Sequence, residues 1–262
     1  MSADQKRPSL ALVTGATAGI GAEFCRQLAA TGVGLVLVAR DAARLESYAA
    51  ALRAEHNVTV EVLAADLASR EGLAAVEARL ASSGTGDAGR VTMLVNNAGF
   101  GLRKPFDQNS IEDEQGLLDL LVAAPMRLTH AALGQMLEAG SGTIVNIASV
   151  AGFTPRGTYG AAKAWLLSFS RWANIHYRSR GISVTAVAPG FVRTEFHERM
   201  DVSTKSIPQF LWLDAKTLVR IALRDVARNR AVSVPTVRYK TIVWLAGWLP
   251  KPLLAGGGLR QR

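Results

Sequence analysis

Ser9-Leu10-Ala11-Leu12-Val13-Thr14-Gly15-Ala16-Thr17-Ala18-Gly19-Ile20-Gly21 is the stretch whose reading decides the fold. The apolar run S-L-A-L-V-T reads as a buried strand. It ends in a glycine turn, after which 18–31 reads as a helix with Ile20, Phe24 and Leu28 at i, i+4 and i+8. Glycines let the backbone turn sharply and approach a pyrophosphate closely. The first helical turn then offers unpaired N–H groups and the positive end of its dipole. The spacing is G-x-x-x-G-x-G rather than G-x-G-x-x-G, so its weight comes from its place between a strand and a helix.

Outward from this unit the alternation repeats. Residues 34–39 (G-L-V-L-V-A) form a second apolar run, Asp41 is an N-cap for a helix over 42–55, and 58–63 is a third strand. Ser69 caps a helix to about residue 80, 83–89 is a Gly-rich loop, and 91–96 is a fourth strand. A helical segment follows over 111–138, interrupted in pattern by Gly116 and Pro125. Strands at 143–148 and 182–188 then flank a helix over 159–180. An amphipathic helix over 213–229 and a short strand at 231–234 complete the pattern. Nearly continuous apolar strands alternating with helices imply a parallel sheet covered on both faces. The expected fold is α/β, a Rossmann-type doubly wound parallel sheet of about seven strands, in a single domain over 1–262. A substrate lid is expected around 191–212 and a basic-apolar tail around 237–262.

Composition narrows the classes of function. The 262 residues are 49% hydrophobic, enough for one sizeable core. The single cysteine, Cys25, rules out an internal disulfide and suits a reducing, cytoplasmic compartment; its place inside a helix makes it a core residue. His56, His130, His176 and His197 have no metal-ligand spacing, so no metal site is expected. The net charge is +9, but Arg is spread along the chain without a dense run or interleaved aromatics, which argues against nucleic-acid binding. The first residues lack a signal-peptide core, and no window is expected to hold the roughly 18 apolar residues of a membrane span. The tail places Ile242, Val243, Trp244, Leu245, Trp248 and Leu249 between Lys240 and Lys251. It reads first as a segment docked on its own core, and otherwise as a lid packing on a partner subunit or an interfacial helix making peripheral membrane contact.

The cofactor and the chemistry are read from five further places. Where strand two ends, an acidic residue would hold the ribose 2′-hydroxyl of NAD; this chain has Arg40, with Arg44 a turn further, and a guanidinium suits a 2′-phosphate. NADP(H) is therefore favoured, while the adjacent Asp41 leaves NAD(H) open. Asp66, after strand three, is placed to accept from an adenine amino group or to cap a helix. Asn96-Asn97-Ala98-Gly99 closes strand four with small residues that permit close cofactor approach. Ser149 follows strand five, and Tyr159 and Lys163 share one helix face four residues apart. A free tyrosine has a pKa near 10; bringing it down about three units for base catalysis takes roughly 4 kcal/mol. A lysine one turn away and the charge of an oxidised nicotinamide can supply that order of energy.

Together T-G-A-T-A-G-I-G (Thr14 to Gly21), N-N-A-G (Asn96 to Gly99), Ser149, Y-G-A-A-K (Tyr159 to Lys163) and P-G-F-V-R-T (Pro189 to Thr194) resemble the classical short-chain dehydrogenases/reductases up to about Val234. The resemblance implies an oxidoreductase passing a hydride between nicotinamide C4 and a carbonyl or alcohol carbon. It implies Tyr159 as acid or base, Ser149 as the group polarising the substrate oxygen, and Lys163 as the group holding the nicotinamide ribose and lowering the tyrosine pKa. The implied cofactor contacts are Gly15, Thr17, Ala18, Gly19, Ile20, Gly21, Arg40, Asp66, Leu67, Asn97, Ala98, Gly99, Tyr159, Lys163, Pro189, Gly190, Val192 and Thr194. Homodimers or homotetramers through the helices starting near Ile111 and Tyr159 are implied as well.

Two departures from the family pattern stand out. The loop between Ser149 and Tyr159 is a few residues short, and Leu121 falls where the family commonly has an asparagine that holds a proton-relay water. Phe100, Leu102, Phe153, Phe191, Phe196 and Trp212 could line an apolar pocket for a bulky hydrophobic carbonyl compound. A weakly active or inactive NADP-binding regulatory protein is the alternative that Leu121 motivates.

Overall fold

Each expected strand pairs with a neighbour of the same direction, and all seven join in one sheet. The computed structural model describes residues 9–82, 89–102, 104–193 and 208–248. The strands are β1 (Leu10–Thr14), β2 (Gly34–Ala39), β3 (Val60–Ala64), β4 (Met93–Asn96), β5 (Gly142–Ile147), β6 (Ile182–Val187) and β7 (Val232–Ser233). Their order is β3-β2-β1-β4-β5-β6-β7, parallel throughout. The helices are α1 (Gly19–Ala29), α2 (Ala42–His56), α3 (Arg70–Ala81), α4 (Ile111–Leu118), α5 (Ala124–Glu138), α6 (Gly157–Tyr177), α7 (Ala215–Ala227) and α8 (Val237–Trp248).

Residues alternate across the sheet and feed two cores. Ala11 and Val13 of β1 and Leu35 and Leu37 of β2 pack with Phe24, Leu45 and Leu218 on one face. Leu10, Leu12, Val36 and Val38 pack with Val76, Leu80, Leu128 and Met136 on the other. The chain runs outward from β1 through β2 to β3, then returns to place β4 on the other side of β1. That reversal is the switch point of the sheet, and ligands of such sheets bind beyond the carboxyl ends of the strands there.

Three details differ from the sequence reading. The segment over 111–138 is one continuous helix, because a π stretch at Asp119–Ala123 precedes Pro125 and absorbs the ring that would break a regular α-helix. By length and composition this 28-residue helix is apolar enough to cross a membrane, contrary to the expectation, with a mean hydropathy of 1.2 in its best window. Its Leu117, Leu121, Leu128 and Met136 are buried against the rest of the fold. Finally, α6 begins at Gly157, two residues before the expected start, and most of the tail that the structure describes is the helix α8.

Candidate active site

The loop from β1 to α1 is shaped by glycines used for different reasons. Gly15 and Gly19 have φ of 64° and 54°, in the left-handed region. Gly21 is needed for space, since a Cβ there would lie 2.3 Å from the Gly15 carbonyl oxygen. Ala18, at the N-cap of α1, makes no side-chain cap, so among the described residues the first-turn N–H groups are left to other partners. Thr17, Ala18, Gly19 and Ile20 are only partly buried along this turn.

The loop after β4 is tied to this one. The Asn97 side-chain amide donates to the Thr14 carbonyl at 2.9 Å and to the Gly15 carbonyl at 3.1 Å. The Thr14 hydroxyl accepts from the N–H groups of Asn97 and Ala98 at 2.9 and 3.0 Å. Thr14 was not among the expected site residues; its one sequence signal is a hydroxyl at the end of the first strand. These bonds fix the small Ala98-Gly99 segment against the glycine loop.

Arg40 is exposed just after β2 and makes no hydrogen bond or ion pair among the described residues. Asp41 is occupied differently, accepting from the Arg44 N–H at 2.9 Å as the N-cap of α2. Asp66 does not cap α3; Ser69 does, and one Asp66 carboxylate oxygen accepts from the Ala68 N–H at 3.0 Å. Leu67 is buried in the core.

Ser149 follows β5 with an extended backbone and starts a 3-10 turn, Val150–Phe153, by accepting from the Ala151 N–H at 3.1 Å. The short loop then reaches α6 through Gly157, whose φ is 54°. Gly152 lets the turn sit against α6, because a Cβ there would come within 2.8 Å of the Lys163 backbone. The Ser149 hydroxyl thereby comes close enough to act on the Tyr159 phenol despite the shortened connection. The Lys163 ammonium lies 5.8 Å from the Tyr159 ring centroid and donates to the Ile147 carbonyl at 2.8 Å. Burial raises the Tyr159 pKa and the Ser149 hydrogen bond lowers it, with burial prevailing. Burial also lowers the Lys163 pKa to about 8.

Beneath these groups runs a polar ladder that the sequence pattern did not single out. Asn96 donates to Asn146 at 2.9 Å and to Thr129 at 3.3 Å, and Asn146 donates to Ser170 on α6 at 2.9 Å. All four are buried, and the ladder crosses from β4 through β5 to α6. Such polar residues within apolar strands are visible in sequence, but their pairing depends on the register Asn96↔Asn146.

Leu121 lies in the π stretch, and only 1% of it is exposed. It packs with Leu117, Ala162 and, at the cluster's edge, Tyr159. A Cβ on Gly99 would stand 2.8 Å from Leu121 Cδ2 and 3.9 Å from Lys163 Nζ, which puts all three residues together. An apolar side chain therefore occupies space beside the lysine.

Beyond β6, the Val150 N–H donates to the Pro189 carbonyl at 3.0 Å. Val192 pairs with Leu213 in an isolated parallel bridge carried by Phe191 and Arg193, so its own N–H and carbonyl point away from Leu213. Gly190 lies under the ring of Tyr239, which would be 1.8 Å from a Cβ at that position. The Tyr239 hydroxyl accepts from the Phe191 N–H at 3.0 Å and donates to the Leu211 carbonyl at 2.7 Å. This anchor from α8 also went unread in the sequence.

Thr194 and Phe196, with most of the expected lid, lie outside the described residues. Phe191 and Trp212 do meet, with ring centroids 5.9 Å apart. Leu102 packs near Tyr159, whereas Phe153 joins the cluster around Leu166 and Leu167. Phe100 is 36% exposed. An open groove of about 630 Å³ between α3 and α5, lined by Ala74, Glu77, Arg127 and His130 among others, is remote from these groups.

A family model described as short chain dehydrogenase matches residues 9–204. A short-chain dehydrogenase from Sphingobium yanoikuyae, solved with NADPH, superposes with a TM-score of 0.82 at 36% identity, covering 96% of each chain. The bulky-bulky ketone specific alcohol dehydrogenase from Comamonas testosteroni superposes with a TM-score of 0.78 at 34% identity, over 97% of this chain and 95% of its own. Among curated proteins, a 3-oxoacyl-[acyl-carrier-protein] reductase from Synechocystis is 34% identical over 214 residues, 77% of this chain and 81% of that protein.

Proposed function

We propose that this chain, which belongs to the short chain dehydrogenase family, is an NADP(H)-dependent oxidoreductase that reduces a bulky hydrophobic ketone or aldehyde, or runs the reverse oxidation. It is an oxidoreductase of the class that acts on CH–OH and C=O groups. The observation that carries the mechanism is the desolvated Tyr159 phenol, influenced by the Ser149 hydroxyl and with the buried Lys163 ammonium 5.8 Å from its ring centroid.

The residues present fit a dinucleotide. Gly15 and Gly21 let the loops after β1 and β4 pack tightly together, the start of α1 lacks a side-chain cap, and Arg40 is unpaired among the described residues. Gly15 to Gly21 would hold the pyrophosphate, Arg40 the 2′-phosphate, Asp66 and the Leu67 backbone the adenine end, and Asn97 to Gly99 the adjoining ribose. Lys163 would hold the nicotinamide ribose, and the backbone from Pro189 to Val192, with Thr194, the carboxamide. When bound, the reduced nicotinamide supplies the hydride for carbonyl reduction.

The side chains handle the proton. Ser149 orients and polarises the carbonyl oxygen, and Tyr159 gives its phenolic proton to the alkoxide that forms. Burial keeps the phenol protonated at neutral pH, which suits reduction. Lys163 stabilises the phenolate left behind through its charge. Solved relatives with NADPH and with bulky-ketone specificity support the cofactor and substrate class, as does the Phe191–Trp212 pair beyond β6. The aromatic run Trp165, Phe169 and Trp172 on α6, with Trp172 and Ile175 exposed, supports assembly into a homo-oligomer through that helix.

Leu121 favours a second reading, in which the chain binds NADP(H) and turns over slowly in a regulatory role. The two separate in one assay. NADPH oxidation is followed at its absorbance with a panel of bulky ketones and aldehydes, for the wild type and for Tyr159→Phe. Turnover that falls at least about 100-fold in the variant, with NADPH binding retained, is the expected result. Undiminished turnover in Tyr159→Phe would refute the assignment, and NADPH binding without turnover in the wild type would favour the second reading.

A further inference from the structure

The helix α8 has two unlike sides. Tyr239 faces inward, 2% exposed, and holds Phe191 and Leu211. Val243, four residues on, shares that side and is half-buried. The opposite side carries Val237, Thr241, Trp244, Leu245 and Trp248 at i, i+4, i+7, i+8 and i+11, all exposed. Trp244 and Trp248 are 64% and 78% exposed, and their ring centroids lie 6.2 Å apart. Solvent thus faces the apolar stripe of this helix, the reverse of an ordinary surface helix.

Charge selects the occupant. From Val237 to Arg262 the sequence holds five Lys or Arg and no Asp or Glu. Arg238 and Lys240 lie on the two flanks of the apolar stripe, where long basic side chains reach past apolar surface toward anionic groups. Tryptophan, with an apolar body and one N–H donor, suits the boundary between water and lipid. A two-fold pairing of the same face with a second copy would set these cations against one another. An anionic bilayer satisfies the tryptophans and the cations together.

We propose that α8 is an interfacial helix that docks this protein on an anionic phospholipid surface, with Trp244 and Trp248 entering the headgroup region and Arg238 and Lys240 pairing with lipid phosphates. The same helix meets the lid: the Arg238 guanidinium lies 5.6 Å from the ring centroid of Phe210, itself 62% exposed. Docking therefore sets the exposed edge of the lid against the lipid. The proposal is independent of the catalytic reading.

The test is flotation of the full chain with vesicles of phosphatidylcholine alone and of phosphatidylcholine mixed with phosphatidylglycerol. The wild type is expected to float with the mixed vesicles only, less so at high salt. Trp244→Ser with Trp248→Ser should weaken partitioning by about tenfold or more, and Lys240→Glu should weaken it separately. Both variants should keep the wild-type circular dichroism and the rate on a water-soluble carbonyl, since none of these residues touches the site. A wild type that floats with neither vesicle overturns the proposal, as does binding that the tryptophan variant leaves intact. Dissociation of a wild-type oligomer by the double variant would assign the face to a second copy instead.

Discussion

At the scale of single residues, Arg40 and Lys163 are the groups whose chemistry is easiest to isolate. Arg40 stands exposed after β2, while its neighbour Asp41 is occupied as the α2 cap. Arg40→Asp should remove a charge-assisted fork and place a like charge against a 2′-phosphate. The KM for NADPH should rise about 10- to 100-fold while NADH improves. An unchanged KM for NADPH would remove Arg40 from the cofactor site. Lys163, proposed above as a site residue, also bears on stability. Its pKa is about 8 in the folded chain and near 10.4 when unfolded. Below pH 8 both states are protonated and the burial cost is felt in full. Between about 8 and 10 the unfolded state binds more protons, so stability rises with pH, by up to roughly 3 kcal/mol. Urea unfolding of the cofactor-free chain at several pH values, for the wild type and Lys163→Met, should therefore show the wild type gaining on the variant across that window. A constant difference between the two would disprove a buried, depressed lysine. Both residues could be named from sequence, since an arginine after strand two and a lysine one turn after a tyrosine are local signals. Lys163's burial could not, because it comes from Ile147 of β5, Gly99 after β4 and Leu121 of the π stretch meeting it.

At the scale of elements, the π stretch at Asp119–Ala123 is the most informative. It lets Pro125 continue the helix, and it holds Leu121 beside Gly99 and Lys163. The family pattern puts a water-holding asparagine there. Leu121→Asn should restore a polar anchor at the lysine and raise kcat for carbonyl reduction severalfold. An amide among Leu117 and Ala162 should also cost about 1–3 kcal/mol of stability where its hydrogen bonds are incomplete. Lower stability with unchanged kcat would mean that no relay through this position limits the rate. The loop between Ser149 and Tyr159 gives a second lesson. Its shortness was visible in the sequence and suggested a reshaped pocket. The two hydroxyl groups still meet, because Gly152 allows the turn against α6 and α6 starts at Gly157.

At the scale of the whole molecule, the carboxyl ends of β1, β4, β5 and β6 gather residues far apart in sequence, and the last described helix closes the set. Tyr239 fixes Gly190, Phe191 and Leu211 through its ring and hydroxyl. Tyr239→Phe leaves the ring and deletes both hydrogen bonds, an expected loss of about 1–3 kcal/mol. The thermal midpoint should fall by several degrees, roughly 2–4 °C per kcal/mol for a chain of this size, and the KM for NADPH should rise. A variant indistinguishable from the wild type in both measurements would show that the ring alone holds the loop. The sequence by itself determined the parallel sheet of about seven strands, the glycine turn after β1 and the placing of Tyr159 and Lys163 on one helix face, because strand periodicity, turn chemistry and helix spacing are all local along the chain. Only the tertiary structure decided that Thr14 and Asn97 lock two loops together, that Asn96, Asn146 and Ser170 form one buried ladder, and that Leu121 abuts the lysine. It also decided that Tyr239 returns to the loop after β6 while the tryptophans of the same helix face outward. Those facts rest on sheet register, strand order and the packing of elements distant in sequence, and no local pattern encodes them.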